Sequence, residues 1–120
     1  MRTTARLTLA LLLWTAPLPA GAAGPEVILQ GVRYVPPDIT VTVGETVTWV
    51  HKDSGLYHHV GADDHSWDSN PTCGFPAGLC MRGGDTYQHT FLSEGTFGYH
   101  CRLHGKPGRG MAGVVRVVSG

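Results

Sequence analysis

A thiol, an imidazole and a thioether fall within eleven residues of one another at Cys101, His104 and Met111, in a stretch that reads Tyr-His-Cys-Arg-Leu-His-Gly-Lys-Pro-Gly-Arg-Gly-Met-Ala-Gly-Val-Val from Tyr99 to Val115. A thiolate with imidazoles and a weak thioether is the donor set that suits a copper ion passing between its two oxidation states. The set lacks one imidazole, for which His51 and the adjacent pair His58-His59 are candidates. Neighbours in a strand point to opposite faces, so only one of His58 and His59 can ligate.

The elements that must position these groups read as strands. Glu26 to Val35 mixes β-branched and aromatic residues, Ile39 to Val43 alternates apolar with hydroxyl side chains, and Thr46 to Val50 alternates again after Gly44-Glu45. The pattern resumes at Thr86 to Phe91 and Thr96 to Cys101, and Val114 to Val118 is an apolar β-branched run. Pro36-Pro37, Asp53-Ser-Gly55 and Ser93-Glu-Gly95 are turn chemistry. No long helical period is present, and short strands at this spacing argue for an all-β fold, an antiparallel sandwich or barrel. Residues 61–84 form a long, polar, Gly- and Pro-rich exception.

Residues 1–22 have the pattern of a secretory signal peptide: Arg2 and Arg6, an apolar run from Leu7 to Trp14, then small residues at Ala20 and Ala22. The run is too short, and too soon interrupted by Pro17 and Pro19, to span a bilayer. The expectation is an exported chain, periplasmic or extracellular, with one domain over residues 23–120 and no membrane span in the mature protein. Nine basic and nine acidic residues become 7 − 9 = −2 once Arg2 and Arg6 are removed. Such a balance does not suggest a surface for nucleic acid or anionic lipid.

An oxidising compartment pairs cysteines, and there are three. Cys73 and Cys80 bracket Gly-Phe-Pro-Ala-Gly-Leu, a loop short enough for a disulfide; the competing reading makes them metal ligands, although no Cys-x-x-Cys spacing is present. Pairing them leaves Cys101 as a single thiol, a liability that coordination as thiolate removes.

With these residues in view, the chain resembles the small blue-copper proteins, the cupredoxins of the plastocyanin, amicyanin and pseudoazurin group. The runs that carry the resemblance are Tyr34 to Asp53, Leu56-Tyr-His-His-Val60, Gly95-Thr-Phe-Gly-Tyr-His-Cys-Arg-Leu-His104 and Gly110-Met-Ala-Gly-Val-Val115. The resemblance implies an eight-stranded Greek-key antiparallel sandwich, a type 1 copper at one end, and single-electron shuttling between larger redox proteins. It implies His58, Cys101, His104 and Met111 as copper ligands, and a monomer. Three features depart from the family pattern. The loop from His104 to Met111 is longer than in plastocyanins, His59 stands where the family has an Asn tying the two ligand loops together, and a segment from Asn70 to Met81 is inserted.

Duller readings apply to the other prominent residues. His51, His65 and His89 read as surface or core-edge histidines, and Trp49 and Trp67 as packing. Met111 has core filler as its alternative role. An electron carrier is the favoured function class because four protein ligands leave no open position for substrate. A copper-binding or copper-delivery protein is the alternative. An enzyme is not expected: no His-x-His ligand pairs for a copper oxidase are present, and no Asn or Asp orienter is recognisable for a Cys-His nucleophile.

Overall fold

The computed structural model describes residues 24–74 and 78–120, together with Thr4, Ala5, Thr8 and Ala10. The expected signal peptide lies almost entirely outside the described residues. Eight strands follow in order: β1 (Glu26–Leu29), β2 (Tyr34–Val35), β3 (Asp38–Thr42), β4 (Thr46–His51), β5 (Gly61–Ala62), β6 (Thr86–Thr90), β7 (Gly95–Lys106) and β8 (Arg109–Val118). They form two four-stranded sheets, β2-β1-β4-β6 and β3-β8-β7-β5. Among the described residues there is no helix long and apolar enough to cross a membrane.

Period-2 patterning decides which side chains meet between the sheets. In β4 the buried positions are Val47, Trp49 and His51, and in β8 they are Met111, Gly113, Val115 and Val117. Trp49 is fully buried and packs edge-on to Tyr99 of β7, with ring centroids 5.3 Å apart, so the two sheets are joined by aromatic contact at mid-height. Val27, Leu29, Val41 and Phe91 fill the rest of this layer. Each such side chain contributes roughly 1.5–3 kcal/mol on burial, which matters in a domain this small.

The sandwich has the expected fold class, but its sheets are mixed. Four ladders are antiparallel, whereas β1–β4 and β3–β8 run parallel. Both parallel ladders arise where the chain changes sheets: β2 ends at Val35, Pro36-Pro37 interrupts the ladder, and β3 joins the edge of the opposite sheet beside β8. The run from Glu26 to Val35 is two strands, because Gly31 and Val32 take positive φ angles of 66° and 57° and turn the chain.

Candidate metal centre

The β7–β8 hairpin sets Cys101 and His104 across from Met111 by an irregularity in its register. His100 pairs with Ala112 and Gly105 with Gly110, so the four residues Cys101 to His104 face the single residue Met111. This is a large bulge; it puts the Cys101 thiol 3.6 Å from His104 Nδ1, and the residue it faces, Met111, is buried. The longer loop noted in the sequence does not open the site. Its extra residues lengthen the hairpin, since β7 runs to Lys106 and β8 restarts at Arg109 across a tight turn. Gly110 is required there: its φ is 66°, and a Cβ would press on the His104 carbonyl.

The fourth expected residue arrives by a different route. His58 lies between β4 and β5, held by an isolated bridge to Met81. It is fully buried, and its Nδ1 is 3.2 Å from His104 Nδ1, while His104 Nδ1 is 3.6 Å from Cys101 Sγ. The donor atoms of His58, Cys101 and His104 all lie within 4.8 Å of one another. Asp53 Oδ2 accepts a hydrogen bond from His58 Nε2 at 2.7 Å, which leaves the Nδ1 lone pair facing the thiol. Asp53 is itself held by the Gly31 amide at 3.0 Å, and that amide and His58 together draw its pKa below the usual range.

Electrostatics favour neutral donors until a cation arrives. Burial raises the Cys101 thiol, opposed by the backbone N–H groups of Leu103, His59 and His104 beside the sulfur. Burial first, and then the neighbouring His58, lower the pKa of His104. A soft cation fits this set, because it takes the place of the thiol proton and meets two lone pairs already aimed inward.

His59 turns away from the centre. Its Nε2 donates to Asp68 Oδ1 at 2.7 Å and its Nδ1 accepts the Arg102 amide at 3.3 Å, so the imidazole itself bridges the two segments that carry the candidate ligands. Tyr34 donates to the His59 carbonyl at 2.6 Å from the opposite sheet. His51 is a correction to the bland reading. It is 1% exposed, and its ring lies 4.6 Å from that of His58 as a wall of the centre. Its parity with Val47 and Trp49 in β4 was the available signal. Asp53, Asp68 and Arg102 carried no signal, since their partners lie on other loops at separations of 5, 9 and 34 residues that follow no strand period. A disulfide joins Cys73 and Cys80. His65 is exposed, and His89 stacks on Trp67 far from the centre, with ring centroids 4.9 Å apart.

Two packed sheets with a thiol and two imidazoles converging at one end define a copper-binding β-sandwich. Residues 26–118 match the copper-binding proteins of the plastocyanin/azurin family, and the chain belongs to that family, whose cofactor is one copper ion. It is 33% identical over 89 residues to a plastocyanin of Scenedesmus fuscus, covering 70% of this chain and 85% of the relative. A solved amicyanin superimposes with a TM-score of 0.64 at 25% identity, covering 83% of this chain and 87% of the other. A purple cupredoxin from Nitrosopumilus maritimus gives a TM-score of 0.61 at 27% identity, covering 78% of this chain and 99% of that one.

Proposed function

We propose that this protein is an exported electron carrier, periplasmic or extracellular, whose copper is held by His58, Cys101 and His104 with Met111 as the weak axial donor. The observation that carries the reading is the convergence of two imidazole Nδ1 atoms and a buried sulfur on one point, with Met111 opposite the bulge that bears two of them. Copper in such a site supplies a one-electron couple. The chain's own part is to keep the donors in place as charge changes. Asp53 orients His58, the bulge orients Cys101 and His104, and the walls of His51 and Met111 keep water out. Residues 1–22 serve as the export signal in this reading, and 23–120 as the single functional domain.

Exchange with a redox protein partner runs through the end of the sandwich where His104 is half-exposed and Leu56 and Tyr57 are 39% and 38% exposed. Charge supports this end and the kind of partner. Arg33, Lys52, Arg82, Lys106 and Arg109 are exposed on its loops and form no ion pair among the described residues. Three carboxylates near them are engaged, Asp53 by His58, Asp68 by His59 and Arg102, and Asp85 by the Arg82 amide. Glu26, Glu45 and Glu94 sit at or beside the other end of the strands. A basic rim around a small apolar patch fits a weak, short-lived contact with an acidic face.

Adding Cu(II) to the purified mature protein tests the reading. The expected result is an intense visible thiolate-to-Cu(II) band that bleaches on reduction, returns on reoxidation and is absent in Cys101→Ser. Met111→Leu should keep the band and shift the potential. Survival of the band in Cys101→Ser overturns the ligand set, and preferential binding of Cu(I) with ready transfer to a chelator supports copper delivery instead.

A further inference from the structure

The inserted segment from Asn70 to Met81, with Ser69 leading into it, is tied down at three places, each at or within two residues of a copper-ligand candidate. At its start, the Ser69 amide donates to the Val60 carbonyl at 2.7 Å and the Val60 amide to Ser69 Oγ at 3.0 Å. At its end, Met81 and His58 exchange two backbone hydrogen bonds of 2.8 and 3.0 Å. In its middle, Arg102 Nη1 donates to the carbonyls of Pro71 and Cys73 at 2.7 and 2.8 Å. The Cys73–Cys80 disulfide closes the middle upon the end, so the guanidinium that follows Cys101 and the backbone that pairs with His58 hold the same covalent ring.

One carboxylate links this ring to the site. Asp68 Oδ2 accepts from Arg102 Nη2 at 3.1 Å, and its Oδ1 accepts from His59 Nε2 at 2.7 Å and from the Asn70 amide at 2.8 Å. The His59 ring completes the circuit by accepting the Arg102 amide. A space is kept for that ring. A Cβ on Gly61 would overlap His59 Cε1 and come within 3.0 Å of Asp68 Oδ2, so the imidazole occupies the place where residue 61 has no side chain. Arg102 follows Cys101 and His59 follows His58, so this one ring joins the two segments that carry ligand candidates. Holding the His59 ring therefore holds the Cys101 and His58 segments against each other.

We propose that the described parts of this segment, residues 68–74 and 78–81, act as a strap that fixes the Cys101 and His58 segments relative to each other and so sets the geometry of the copper site, with Asp68, His59 and Arg102 as its positioning residues. The strap rests on the reading of Cys101 as a copper ligand, and it assigns the insertion a part in tuning the centre rather than in folding alone. Arg102 suits the task because its planar fork reaches the Asp68 carboxylate and two carbonyls at once, which a lysine cannot do.

The test compares wild type with Asp68→Ala, Asp68→Asn, Arg102→Gln, Arg102→Lys and Gly61→Ala. In the copper-loaded proteins, the reduction potential should shift in Asp68→Ala and Arg102→Gln, because the couple follows the geometry of the donors that the strap holds. Arg102→Lys should fall between wild type and Arg102→Gln. In the metal-free proteins, exchange of the Arg102 amide should quicken by about tenfold or more in Asp68→Ala and Gly61→Ala relative to amides of the core strands. Where Asp68→Ala does not fold, Asp68→Asn and the two Arg102 variants carry the comparison. An unchanged potential and band in these variants overturns the proposal, even if global stability drops. Absence of the band in wild type defeats the ligand reading instead. The Arg102 exchange rate then decides alone whether the strap holds the residue beside Cys101.

Discussion

Cys101, His104 and Met111 share one hairpin, while His58 comes from a segment with almost no ladder of its own, and the two halves of the centre are held by different physics. The hairpin is a local solution: β7 and β8 pair along most of their length, and a bulge of four residues against one brings Cys101 and His104 together across from Met111. The His58 segment is a non-local one. Asp53, Met81, Tyr34 and the circuit through Asp68 and Arg102 fix it from four directions. Backbone pairing makes the first half robust to loop length. The second depends on particular polar side chains, each of which would be costly to leave unpaired.

The largest effect expected from this contrast comes from deleting each imidazole. With His104→Gly, added imidazole should restore the thiolate-to-copper band, because the ring removed is half-exposed and its backbone is held by the hairpin. His58→Gly should not be restored, since its ring is fully buried between His51, His104 and Asp53 and its loss also frees the Asp53 carboxylate. Equal recovery in titrations of the two variants would erase the distinction between the halves.

An intermediate effect is expected from opening the ring that supports the His58 segment. Replacing Cys73 and Cys80 with Ser should destabilise the metal-free protein by about 2.5 kcal/mol on the loop-entropy estimate for a sequence separation of seven. Denaturant unfolding checks the size of the loss. Amide exchange should show Met81 and Arg102 loosening more than the hairpin amides. A uniform change across both halves would argue that the disulfide acts on the unfolded chain alone.

The smallest effect concerns pH. Burial lowers the pKa of His89, which stacks on Trp67 away from the centre, below the ordinary imidazole value of about 6.5. The unfolded chain therefore binds a proton that the folded chain resists, and stability falls as pH drops from about 6.5 toward the folded value, then levels off. His51 and His59 shift in the same direction, in both cases with burial as the main cause. His89→Phe should flatten part of the loss in the metal-free protein, as measured by unfolding at pH 7 and pH 5. A slope unchanged by the substitution would assign the whole effect to the histidines near the centre.

The sequence by itself determined most of the strands, their inward faces and three candidate donors of the centre, while β5 lies in the stretch of residues 61–84 that reads as irregular. Alternation of side chains is a local property, and the spacing of Cys101, His104 and Met111 lies within one hairpin. Tertiary structure alone decided that β1–β4 and β3–β8 run parallel, since direction there follows from which sheet edge the chain meets after crossing. It also decided the partners of the remaining polar groups. Asp53 is five residues from His58, Asp68 is 34 from Arg102, and Arg102 is 29 from the Cys73 carbonyl it holds. No periodicity links such pairs, because hydrogen bonds between loops depend on where two sheets bring their ends together, and only the packed core sets that distance.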